Sequence, residues 1–97
     1  MAEGNSPNPN NAIINPIDIG SGSILDFVKN GSYKAGVYFL YSQSASDRPV
    51  NTVNYTIVMK ATDTGDWSHC LCIGPRTMYL SDQLVSSTAS INWIQIQ

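Results

Sequence analysis

Thr52 to Ala61 reads TVNYTIVMKA, and its alternation decides the fold class. Val53, Tyr55, Ile57 and Met59 fall on one side of an extended chain, with Asn54, Thr56 and Lys60 on the other. That is the two-residue period of a strand, not the 3.6-residue period of a helix. Just downstream, Asp63-Thr64-Gly65-Asp66 supplies turn chemistry, and Trp67 to Ile73 (WSHCLCI) forms a second apolar run. Two such runs around a short turn read as an antiparallel hairpin.

Working outward, Gly36 to Ser42 (GVYFLYS) alternates Val37, Phe39 and Tyr41 against Tyr38 and Leu40. Both sets are apolar, which predicts a strand covered on both sides. The polar stretch SQSASDRP links it to the central run. Beyond the hairpin, Gly74-Pro75 breaks the chain, and Arg76 to Leu80 (RTMYL) reads as a fourth strand. SDQLVSSTAS is then a long polar connection. Ile91 to Gln97 (INWIQIQ) is a fifth strand, with Asn92, Ile94 and Ile96 opposite Ile91, Trp93 and Gln95. One segment, Ser23 to Asn30 (SILDFVKN), reads as a helix. Ser23 can N-cap it, Asp26 and Lys29 suit its two ends, and Asn30-Gly31 offers a left-handed stop. Ile24, Phe27 and Val28 share its apolar face. The expectation is a small antiparallel all-β domain of about five strands with one short N-terminal helix, spanning residues 23–97.

Residues 1–22 differ in character and read as an extended N-terminal arm or anchor. NSPNPNN is rich in Asn and Pro, yet Ile13, Ile14, Ile17 and Ile19 follow within a few positions. A solvated linker has little use for four isoleucines. The stretch Ala12 to Ile19 is therefore expected to dock, either on a neighbouring chain or as a strand closing its own sheet.

Composition narrows the classes of function. The 97 residues allow one domain, and charged side chains make up 12 %, about half the usual share. The five basic residues are scattered singly and the formal charge is -2, which argues against nucleic-acid binding. No apolar run reaches the ~18 to 20 residues that span a bilayer, so no membrane insertion is expected. The opening MAEGNSPNPNN lacks the basic start and apolar core of a secretory signal. A polar, Ser/Thr/Asn-rich composition without such a signal suits a virion component made in the host cytoplasm and released by lysis.

Catalytic constellations do not assemble in the sequence. His69 is flanked by Cys70, but neighbours on a strand face opposite ways, and the same geometry separates His69 from Cys72 and Ser68. No second histidine completes a zinc set. Cys70 and Cys72, two apart on one face, lie ~6.5 to 7 Å apart along a strand, at or beyond disulfide reach, so they read as packing thiols. Asp47, Asp63, Asp66 and Asp82 sit in Gly/Ser/Pro-rich turns, where Asp ordinarily caps its own backbone. No catalytic residue, metal site or cofactor is expected. Tyr and Trp make up seven of the nine aromatics, and their apolar bodies with polar tips suit contact surfaces as well as small β-cores. Tyr33, Tyr41, Asp47, Arg48, Trp67, Tyr79 and Trp93 are the ligand-facing candidates, for a glycan or a protein.

The order of these pieces resembles the knob-type domains of phage and pyocin tail fibres. The resemblance rests on the lead helix, Gly36-Val37-Tyr38-Phe39, the loop at Pro49 and the long Val53–Met59 strand. The Trp67-led partner strand and the terminal Asn92-Trp93-Ile94-Gln95-Ile96 complete it. It covers about Ser23 to Gln97, and departs from the family in placing Arg76 before Tyr79 and in ending on one Trp rather than a close pair. The resemblance implies a non-enzymatic fibre-tip or decoration module, trimeric, held to other virion proteins by its arm. A free carbohydrate-binding module is the alternative, and a small hydrolase ranks last.

Overall fold

The computed structural model describes residues 15–97. Its elements, in chain order, are β1 (Ile17–Asp18), α1 (Ile24–Lys29), β2 (Gly36–Tyr41), β3 (Tyr55–Lys60), β4 (His69–Ile73), β5 (Met78–Ser81) and β6 (Trp93–Gln95). They form one six-stranded sheet in sequence order. β1 runs parallel to β2, and every later pair is antiparallel. The fold is all-β with one short helix, as the alternation predicts, and it carries a sixth strand that the sequence reading left open.

That strand resolves part of the arm. Ile17 pairs with Leu40 and Asp18 with Tyr41, and Ile17 and Ile19 pack against the chain's own core. For these two residues the self-closing alternative holds, which corrects their reading as anchors on a partner. Residues 17–22 thus belong with the sheet, and Ile13 and Ile14 lie outside the described residues. A parallel neighbour needs a crossover, and α1 supplies it between β1 and β2.

The helix forms where its caps and apolar face predict. Ser23 Oγ accepts from the Asp26 amide at 3.1 Å, and Ile24, Leu25, Phe27 and Val28 are buried. Its end differs from expectation. Asn30 is extended (φ −73°, ψ 109°) rather than left-handed. The carbonyls there are taken up instead from across the fold: Lys60 Nζ donates to Asn30 O at 2.7 Å and to Tyr33 O. Lys60 is buried, and desolvation pulls its pKa below the ordinary lysine value.

The register reveals an inversion. Residues paired across antiparallel strands share a face, so Leu40, Thr56 and Cys72 line one side while Phe39, Ile57, Leu71, Leu80 and Ile94 line the other. The helix packs on the first side, with Leu40, Ala45, Val58, Cys70 and Leu84. Asn54, Thr56 and Lys60 are therefore buried, while Val53 is 66 % and Met59 39 % exposed. β3 turns its polar side inward. It can do so because the polar groups satisfy one another. Asn54 Nδ2 donates to Thr52 O at 2.7 Å and Val50 O at 3.3 Å, and Ser42 Oγ donates to Asn54 Oδ1 while bonding Thr56 Oγ1 at 2.8 Å. A closed network of this kind removes the penalty of burying polar atoms.

β2 departs from expectation for the same reason. Leu40 is fully buried but Val37 and Tyr41 are exposed, so the strand is covered on one side, not two. The connection after β5 is less polar than it reads: Leu84 is buried and bridges back to Ser68. The hairpin itself stands, with Met59 opposite His69 and Tyr55 opposite Ile73.

Candidate functional site

The sheet's uncovered face is the candidate site. Val37, Phe39 and Tyr41 of β2 lie beside Met59, Ile57 and Tyr55 of β3, which lie beside His69, Leu71 and Ile73 of β4. Leu80 and Met78 of β5 and Ile94 of β6 continue the surface. The three central strands put no carboxylate, ammonium or guanidinium on it; Lys60, the one cation of β3, points to the other side. Aromatic rings cluster on it where β2 meets β3. Phe39 stacks on Tyr55 at 4.8 Å and 8°, and meets Tyr41 edge-on at 5.8 Å.

Two hollows flank it. A cleft of about 450 Å³ opens beside Tyr41 and Tyr55, with Asp18, Gln43, Ser44 and Asn54 supplying polar groups. At the opposite end Trp67 stands over Val37, Met59 and His69 around a shallower hollow of about 280 Å³. Trp67 has φ 62°, a left-handed conformation that a bulky residue rarely adopts, and it is 60 % exposed.

The ligand-facing candidates separate into two groups. Tyr41 and Trp67 are exposed at the margins of the open face. The others work inside the fold. Asp47 accepts from Ser23 Oγ at 2.9 Å and from the amides of Ile24 and Leu25 at 2.7 and 3.0 Å, so its carboxylate serves the helix N-terminus and not a ligand. Arg48 donates to Ala45 O and Asn51 Oδ1, both at 2.6 Å, and braces its own loop. Tyr33 packs on Phe27 with ring centres 4.2 Å apart. Trp93 donates from Nε1 to Asp47 O at 2.8 Å and packs against the core. Tyr79 is half-buried on the helix side, opposite Cys72.

Phe39, Ile57, Leu71, Leu80 and Ile94 are the surface residues that sequence reasoning missed. The available signal was β2, whose two faces are both apolar when only one can meet the helix. Among the described residues no group of three or more His, Cys, Asp or Glu side chains is placed to hold a metal ion. Cys70 and Cys72 are free and buried, and burial pushes the Cys70 thiol up to about 12. No described helix is long and apolar enough to cross a membrane. No family model, curated protein or solved structure matches the chain.

Proposed function

We propose that this protein is a non-enzymatic structural subunit that works by holding and displaying a surface. The observation that carries this reading is the one-sided sheet, with a helix-covered core behind it and a continuous apolar face in front. Scattered apolar residues are ordinary on a protein surface, but a contiguous patch of this kind marks a contact. The tail-fibre resemblance gives the role its particular form: a phage fibre-tip or decoration module, assembled as a homotrimer and attached to other virion proteins through the N-terminal segment. The loops around Ser42 to Val50 and Ser81 to Ser90 are the parts that would meet a host-surface glycan or protein.

Purified particles test this. An antibody against the chain should label virions and follow them through a density gradient. A chain that stays wholly in the particle-free fraction contradicts the virion role. The cleft beside Tyr41 and Tyr55 favours a second reading, a free carbohydrate-binding module, because an aromatic wall beside carboxylate and amide groups suits a sugar ring. That reading expects a monomer with glycan affinity that drops in Tyr41→Ala.

A further inference from the structure

We infer that the cleft beside Tyr41 and Tyr55 receives the guanidinium group of an arginine side chain from a partner protein. This goes beyond the structural-subunit reading and stands on the cleft's own geometry. Three observations carry it.

The first is a row of side chains. Asp18 pairs with Tyr41, and Tyr41 with Tyr55, so one carboxylate and two phenol rings stand side by side. Gln43 and Ser44, from the loop after β2, line the same cleft of about 450 Å³, a size usual for ligand pockets. The row is braced before any ligand arrives. Phe39 lies flat on Tyr55 and edge-on to Tyr41. Asp18 Oδ1 accepts from the Gly20 amide at 2.9 Å, in a turn where Gly20 takes φ +56°. Side chains already held in place lower the ordering cost of binding.

The second is a carboxylate without an internal counter-charge. All five Lys and Arg of the chain lie among the described residues. Lys29 donates to Thr88 O, Lys34 pairs with Asp63, Arg48 braces its own loop and Lys60 holds the helix end. Arg76 lies on the turn after β4, three strands from β1. No described Lys or Arg meets Asp18, so a cation from outside completes the pair.

The third is the kind of cation that fits. Asn54 lines the cleft, but its amide is committed to Thr52 O, Val50 O and Ser42 Oγ. The oxygens left to accept are those of Asp18, Gln43 and Ser44, set beside aromatic rings. A guanidinium is a flat cation with five N–H donors that also stacks on aromatic faces. An ammonium is compact and strongly hydrated, and a sugar ring brings no charge to Asp18.

Titration of the full chain with N-acetyl-arginine amide, followed by amide NMR shifts, tests the inference. The probe should shift Gly20, Tyr41 and Gln43 saturably. N-acetyl-citrulline amide, its uncharged isostere, should bind at least roughly tenfold more weakly. Asp18→Asn keeps an acceptor for the Gly20 amide and should weaken the arginine probe by the same factor; Tyr41→Leu should weaken it about threefold. Asp26→Asn, exposed on the helix, should bind like the wild type. If Asp18→Asn does not fold, the citrulline comparison on the wild type decides. Free arginine, whose own carboxylate meets Asp18, should bind more weakly than the blocked probe; the reverse order overturns the assignment to a partner's side chain. Equal affinity for the arginine and citrulline probes, or undiminished binding by Asp18→Asn, overturns the inference. Methyl glucoside shifting these amides where the arginine probe does not also overturns it, in favour of the sugar reading. The particle-labelling test of the virion role is independent of every one of these outcomes.

Discussion

Asp47 shows how a side chain suited to binding is spent on the fold. Its two carboxylate oxygens take the Ser23 hydroxyl and two amides of the first helical turn, a partly buried, charge-assisted arrangement. Asp47→Ala leaves those donors unpaired and should lower stability by about 1–3 kcal/mol; a urea melt with unchanged slope and an earlier midpoint checks this. The cysteines make a second point at this scale. With Cys70 and Cys72 both inaccessible and burial raising both thiols, little thiolate exists at neutral pH. A chromogenic disulfide reagent should count two thiols in denaturant and react only slowly with the native chain. The position of Cys70 and Cys72 on one face, away from His69, was legible from spacing. The commitment of Asp47 was not, because its partners lie more than twenty residues away.

The elements repeat that division. Strand identity came from local alternation, so the β2, β3 and β4 segments were readable as strands, whereas the side facing inward was not. Alternation separates Val53, Tyr55, Ile57 and Met59 from Asn54, Thr56 and Lys60, and ordinary patterning buries the first set. The helix arrives on the other side, held by Asp47 at its start and Lys60 at its end, while the network around Asn54 satisfies the polar groups buried within the sheet. Such pairings are tertiary and leave no local mark. The β3–β4 turn presses on the helix as well. Gly65 has φ +91°, and a Cβ there would meet Val28 O at 2.7 Å. Gly65→Ala should therefore cost about 1–3 kcal/mol, through strain and this close approach, read as a lower thermal midpoint. The neighbouring Asp66 holds the long connection after β5 by accepting from the Ser86 amide, and that bond draws its pKa below the ordinary carboxylate value. A depressed native pKa stabilises the fold above about pH 4 and loses that effect as pH falls through the native value. The stability gap between wild type and Asp66→Asn should be constant at neutral pH and close on acidification; a gap independent of pH would remove Asp66 from this role.

For the whole molecule, a single sheet with one helix can bury one face, and the face left open is apolar across β2, β3 and β4. The second face stays open in the single chain, and under the proposed function it is the surface that makes contact. The most direct measurement is maleimide labelling of single-cysteine probes at Ile57 and Thr56, adjacent residues on opposite faces, introduced where Cys70 and Cys72 stay silent. A sheet covered by the helix on one side only makes Ile57→Cys label faster than Thr56→Cys, which stays protected behind the helix. Equal labelling of the two probes, or faster labelling of Thr56→Cys, would contradict it.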